Sequence, residues 1–299
     1  MIRLGLRVDV DTLRGTLLGV PALCELLKRH RVTATFFFSA GPDNMGRHVW
    51  RLLRPAFLAK MLRSRAASLY GWDVLMCGVF WPGPVIGKRA AHAIRTAAEH
   101  GHEIGLHAWD HHEWQANIDT MPGDRIGAGL DSAAAMIEEA CGARPCCSAA
   151  PSWRCTDAAL LAKAERRFRF NSDCRGRSVF WPSVNGRRLE QPQIPCTLPT
   201  YDEVIGANGI TDLNYNAYML SCVATDRLNV LTIHAEVEGI AKLGMFGTFL
   251  EGATRRGIAA VPLRECMGDM RATPVCPVVR GAAEGREGWV SLQGEESNL

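Results

Sequence analysis

No two of the eleven cysteines in this chain are spaced as CxxC. That absence excludes a structural zinc knuckle built on paired thiols. Their odd number and irregular placement (Cys24, Cys77, Cys141, then Cys146 and Cys147) also argue against a disulfide scaffold, so they read as mostly buried thiols of a reducing compartment. No stretch reaches about 18 uninterrupted apolar residues, which excludes a transmembrane helix. The opening residues, MIRLGLRVDVDT, lack the apolar core of a signal peptide and read directly as a strand. Together these points predict a cytoplasmic protein. There is little net charge: +3 over the chain gives no argument for nucleic acid. No internal repeat is present.

What the sequence does contain is ordinary globular material, 47% hydrophobic and 22% charged. At 299 residues it fits a single α/β barrel and can bury a large core without staples. Short apolar runs alternate with helical spacing. Strands are predicted near residues 2–8, 33–39, 103–107, 145–149, 168–173, 229–234 and 258–261. Helices are predicted near 20–31, 86–100, 127–141, 156–167, 210–223 and 239–256. Strand, helix, strand in repetition implies a parallel sheet, and about seven units favour a closed or nearly closed barrel. Residues 1–270 form the expected domain, with an insertion at about 44–87. Beyond Arg271 the chain turns polar and rich in Gly and Glu, and residues 271–299 are expected to be a disordered tail.

Polar clusters fall at the ends of predicted strands: Asp9 and Asp11 after the first, His107 and His111 after EIGLH, residues 148–154 after CCSAA, and His234 after NVLTI. In a parallel barrel all C-terminal strand ends share one face, where active sites are built. One carboxylate and two imidazoles make a site suited to Zn²⁺, Mn²⁺, Co²⁺ or Fe²⁺, with positions left for water and substrate. A second carboxylate could deprotonate that water, and a further histidine could protonate a leaving amine. Each element alone is weak: a DxD pair is often surface decoration, an HxxxH often chance, and a single strand-end histidine more often structural. All three at C-terminal strand ends point to a metal-dependent hydrolase.

LRVDVDT, EIGLHAWDHHEW and LTIHAE resemble the signature motifs of the polysaccharide deacetylase (NodB-like) superfamily. The resemblance spans about residues 1–265 and implies a distorted (β/α)7-type barrel. Within the superfamily, FFFSAGPDNMGRH, ASLYGWDVL, NSDCRG, PQIPCTLPTYDEVIG and TIHAEVEGI resemble a branch of lipid-linked formamido-sugar deformylases. The implied reaction is metal-dependent hydrolysis of the formamide of 4-deoxy-4-formamido-L-arabinose-phosphoundecaprenol, in the service of lipid A modification and polymyxin resistance. The family pattern puts the general base at Asp9, the metal ligands at Asp11, His107 and His111, and the general acid at His234. His112 is adjacent, but the HxxxH spacing selects His111. Val10 separates two aspartates that stand side by side in many relatives, which leaves the base and ligand roles of Asp9 and Asp11 less sharply assigned. Ala149 stands where many relatives carry an arginine directed at the catalytic aspartate, so either nearby Arg154 takes that role or the role is absent. Trp153 could wall the substrate pocket or lie in the core.

One local charge excess remains. Between Asn44 and Trp72 lie Arg47, Arg51, Arg54, Lys60, Arg63 and Arg65 with no acidic residue, interleaved with Trp50, Leu53, Phe57 and Leu58. Pro55 is expected to split the run into two short helices. A basic amphipathic stretch of this kind suits an anionic membrane surface or the substrate phosphate, and the alternative is a solvated helix packed on the barrel. The expected setting is the cytoplasmic face of the inner membrane, with the undecaprenyl-phosphate-linked amino sugar as the partner and no nucleic acid. Competing readings are a deacetylase of another N-acylated sugar, such as peptidoglycan or an oligosaccharide, and a non-catalytic lipid- or metal-binding protein on the same scaffold.

Overall fold

A computed structural model describes residues 1–48 and 77–297. Seven parallel strands build the main sheet: β1 (Ile2–Val10), β2 (Thr35–Ser39), β3 (Glu103–Ala108), β4 (Cys147–Ser148), β5 (Phe170–Asn171), β8 (Val230–His234) and β9 (Ile258–Val261). Their order is β5-β4-β3-β2-β1-β8, and β9 pairs with the first half of β1. Eight α-helices are described: α1 (Val20–His30), α2 (Ile86–Glu99), α3 (His111–Asn117), α4 (Gly123–Cys141), α5 (Asp157–Ala164), α6 (Tyr201–Val204), α7 (Tyr215–Cys222) and α8 (Leu243–Arg255).

The strands are covered on both faces, as parallel strands must be. Along β1 the period of two sends Leu4, Leu6, Val8 and Val10 outward, into one cluster with Leu23 and Leu27 of α1, Ile94 of α2 and Phe249 of α8. The same alternation divides the FFF run of β2. Phe36 and Phe38 join that outer cluster, whereas Phe37 joins an inner one with Cys147, Trp153, Phe170, Val230 and Leu263. The curled sheet is the NodB-like, distorted barrel that the motifs imply. Its open side, between β5 and β8, is bridged by the PQIPCTLP segment. Ile194 N donates to Asn171 O at 2.8 Å, and Leu198 N donates to Val230 O at 3.1 Å. Three prolines in that segment remove donors, which explains why it makes single bonds instead of a ladder.

The expected disordered tail is corrected by the structure. β10 (Val275–Gly281) runs parallel to β6 (Trp181–Val184) and antiparallel to β11 (Val290–Gln293), while β7 (Arg187–Arg188) completes a second, four-stranded sheet. Cys276, Val290 and Ser291 are buried, and Ser291 Oγ both accepts from Cys155 N and donates to Cys155 O at 3.0 Å. The two strands are short, and the Gly- and Glu-rich stretch between them dominates the composition. Windowed polarity therefore hides them.

Candidate metal centre and its proton-transfer groups

β1, β3 and β8 deliver the polar cluster to one end of the barrel. Asp9 pairs in register with Phe37 on one side and with His234 on the other, so these two groups lie level across neighbouring strands. Asp11 follows one residue past the strand. His107 projects from β3, and His111 opens α3 behind Asp110, whose side chain caps that helix by accepting from Glu113 N at 2.9 Å.

His107 Nε2 lies 3.3 Å from Asp11 Oδ1 and 3.9 Å from Asp9 Oδ2, and His111 Nε2 lies 3.5 Å from Asp11 Oδ2. His107 Nδ1 is 2.9 Å from the Ala149 carbonyl oxygen, an acceptor only, so Nδ1 holds the ring proton and donates it. In the neutral ring Nε2 then carries a lone pair, aimed at a buried Asp11 oxygen that receives no hydrogen bond. Acceptors facing one another in a dry site are costly unless a cation sits between them. Burial pushes His111 down to about 4, despite the opposing pull of Asp11, so its ring too offers a lone pair at neutral pH. The donor set of Asp11, His107 and His111 therefore fits a divalent metal, with Ala149 O as the outer partner that fixes a ligand tautomer.

Asp9 is held differently. Arg7, two residues earlier on the same face of β1, grips it in a fork: Nε to Oδ1 and Nη2 to Oδ2, both 2.7 Å, with both side chains buried. Burial by itself would raise the Asp9 carboxyl, but Arg7 and His107 outweigh it and hold the group below the usual carboxylate range. Arg7 Nη1 also donates to Ser172 O at 2.5 Å and approaches Cys196 Sγ at 3.3 Å. His234 is half-buried; burial lowers its basicity, but Asp11, Asp9, Asp202 and Glu238 together raise it above the ordinary imidazole value.

Two further carboxylates brace this end of the barrel. Glu236 Oε1 accepts from Asp11 N (3.0 Å), Thr12 N (2.9 Å) and Thr12 Oγ1 (2.8 Å), tying the loop after β1 to the loop after β8. Burial raises its carboxyl to about 8, with a smaller contribution from Asp11. Gly15 and Gly19 permit this approach. A Cβ at Gly15 would lie 2.0 Å from Glu236 Oε1, and one at Gly19 would lie 2.0 Å from Ala235 O. Glu238 Oε2 accepts from His234 N at 2.8 Å, and burial raises it to about 7. On the other rim, Asp43 Oδ2 accepts from Leu13 N at 2.8 Å, and Asn44 Nδ2 donates to Asp110 Oδ2 at 2.6 Å.

The remaining sequence candidates fall elsewhere. Arg154 does not take the arginine role: it donates to Gln115 O (2.8 Å) and Trp289 O (3.3 Å), while Arg7 fills both oxygens of Asp9. Trp153 is 1% exposed and cannot wall a pocket. It sits behind Arg7, its Nε1 donating to Cys196 Sγ at 3.0 Å and its ring facing the Arg7, Arg175 and Arg286 guanidinium groups. His112 stacks at a tilt on His48, leaving Asp11 to His111. Arg47 is half-buried and donates to Gly78 O at 2.7 Å. Trp50, Arg51, Arg54, Phe57, Lys60 and Arg63, with Arg65, lie outside the described residues. Sequence reasoning missed Arg7, Glu236 and Glu238. A usable signal for Arg7 was its i, i+2 relation to Asp9, since a strand puts both on one face.

The polysaccharide deacetylase family profile matches residues 15–170, just over half of the chain. This chain belongs to the polysaccharide deacetylase family. It is 51% identical over 297 residues to the probable 4-deoxy-4-formamido-L-arabinose-phosphoundecaprenol deformylase ArnD of Shewanella sediminis, covering 99% of this chain and 96% of that protein. It is 38% identical over 282 residues to the protein of the same name from Wigglesworthia glossinidia brevipalpis, covering 93% and 98%. A probable polysaccharide deacetylase from Pseudomonas aeruginosa PAO1 shares the deacetylase fold, with a TM-score of 0.59 at 15% identity over 89% of each chain. The profile match begins after Asp9 and Asp11 and ends before His234. Those three residues therefore stand on the local motifs and the geometry.

Proposed function

We propose that this chain hydrolyses the formamide of 4-deoxy-4-formamido-L-arabinose-phosphoundecaprenol, releasing formate and leaving the 4-amino sugar on its lipid for lipid A modification. The observation that carries the reading is 51% identity across almost the whole of both chains to a relative of that name. The buried Asp and His cluster provides the chemistry for an amide hydrolase. Asp11, His107 and His111 would hold a divalent ion: Zn, Mn, Co or Fe. Such an ion, when bound, polarises a carbonyl and lowers the pKa of water.

The protein's own groups then have distinct tasks. Asp9, kept ionised by Arg7, takes a proton from the attacking water. His234, level with Asp9 on the neighbouring strand and biased toward its charged form, delivers a proton to the sugar nitrogen as its bond to the formyl carbon breaks. Water supplies the oxygen of formate, and the amine leaves neutral. Ala149 O and Glu236 hold His107 and the Asp11 loop in place, so little reorganisation is needed during the reaction.

The reading extends to peripheral attachment at the cytoplasmic face of the inner membrane. Among the described residues no helix is long and apolar enough to cross a membrane. Phe80 and Trp81 are 74% and 82% exposed, close in sequence to Gly83, whose N donates to Asn44 Oδ1 at the site rim. Together with the cations that the sequence carries between residues 51 and 65, they would supply the apolar and charged contacts that an anionic bilayer takes. The experiment is formate release from the formamido-arabinose lipid with and without chelator. Chelator-sensitive formate release is expected. Faster acetate release from the matched acetamide would instead favour a sugar deacetylase.

A further inference from the structure

At the opposite end of the barrel, Cys24 of α1 meets His100 and His102, which flank Gly101 between α2 and β3. One donor atom from each of the three residues lies within 4.8 Å of the other two. Cys24 is fully buried and His102 is 7% exposed, while the His100 ring is 20% exposed. Two inner ring nitrogens are buried without any hydrogen-bond partner: His100 Nδ1 and His102 Nε2. The outer nitrogen of His100, Nε2, lies 3.8 Å from the Glu25 carboxylate, next in sequence to Cys24. That is an ion-pair distance and not a hydrogen bond, and it leaves His100 Nδ1 as the unpartnered nitrogen available to a cation. Gly101, at φ +79, makes the tight reversal that brings both histidines back toward α1.

The structure assigns a second divalent-cation site to Cys24, His100 and His102, separate from the candidate metal centre and suited to Zn²⁺. One sulfur and two imidazoles are borderline-soft donors, which favour zinc over magnesium, calcium or manganese. His102 precedes β3 and His107 lies five residues along it, so the two sites are about 16 Å apart along the strand. Binding exchanges the Cys24 thiol proton for the metal–sulfur bond. In the structure His102 Nδ1 accepts from Ala34 N at 3.3 Å, so the neutral ring carries its proton on Nε2; binding a cation through Nε2 requires the other tautomer and a shift of the ring away from Ala34 N, and water completes the coordination on the exposed His100 side. Burial keeps His102 neutral, with its basicity lowered to about 4, and raises the Cys24 thiol to about 12, so without the cation this corner holds a protonated thiol. The face at the N-terminal strand ends serves stability in barrels of this kind, and the site would clamp α1 to the α2–β3 turn.

The test is Co²⁺ titration of the chelator-stripped full-length protein, followed by visible absorption and elemental analysis. Two equivalents are expected, with a thiolate-to-cobalt charge-transfer band that saturates with one of them. Cys24→Ser and His100→Gln should each bind one equivalent, show no such band, and retain deformylase turnover within twofold. The His100 variant decides the matter if the buried Cys24 change impairs folding. A parent protein that binds a single equivalent without the band overturns the assignment, as does a band that survives in either variant.

Discussion

Replacing Arg7 by methionine removes one half of a buried ion pair and leaves the other half in place. Asp9 would keep its 3% exposure and lose both 2.7 Å charge-assisted bonds, and Ser172 O would lose its 2.5 Å donor. Breaking a buried pair from one side costs about 3–5 kcal/mol. At about 2 °C per kcal/mol for a chain of this size, Tm should fall on the order of 6–10 °C. The sign with pH follows from the depressed Asp9 value. In the parent, the pair's stabilisation is complete above the unfolded carboxyl value, roughly pH 4, and is lost as pH falls through the lower native value. In Arg7→Met, burial acts with less opposition, so the Asp9 carboxyl rises and the acid limb of kcat/KM moves to higher pH. Arg7→Lys restores a charge without the fork and should recover only part of either effect. The double variant Arg7→Met/Asp9→Asn removes both charges and should regain most of the lost Tm while remaining inactive. Thermal denaturation and a pH–rate profile on the formamido lipid give both readouts. Parent-like Tm and acid limb in Arg7→Met would refute the argument that Arg7 holds the base ionised.

Asp11→Ala, His107→Ala and His111→Ala should each remove bound metal from the catalytic end and abolish turnover, whereas His234→Ala should keep the metal and lose most turnover; elemental analysis beside formate assays separates the two classes. Because His234 is raised above its ordinary value, activity should fall on the alkaline side only above about pH 6.5, and loss of the alkaline limb in His234→Ala is the check. Glu236→Ala should weaken metal binding roughly 10–100-fold by freeing the Asp11 loop. Glu236→Gln, which still offers an acceptor to Asp11 N and Thr12 N, should recover most of it in a chelator competition assay. Replacing Arg47, Arg51, Arg54, Lys60, Arg63 and Arg65 by Gln should weaken cosedimentation with anionic liposomes, each cation contributing about 1 kcal/mol at modest salt. Parent-like sedimentation of that variant would place the membrane contact elsewhere.

The sequence alone determined the alternation of strands and helices and the positions of Asp9, Asp11, His107, His111 and His234. Both are local properties: strand periodicity is written in neighbouring residues, and a parallel barrel must gather its C-terminal strand ends on one face. Only the tertiary structure decided what those groups rest on. The guanidinium beside Asp9 comes from Arg7 on β1 and not from Arg154, because strand register and the inner packing of Trp153 fix which cation reaches the carboxylate. The tautomer of His107 is set by a backbone carbonyl at Ala149, and backbone groups have no signature in a sequence. Glu236 braces a loop 225 positions away in the chain. The last two strands and the meeting of Cys24 with His100 and His102 likewise depend on contacts between distant segments. Such contacts follow from how layers pack, and a pattern read along the chain has no access to them.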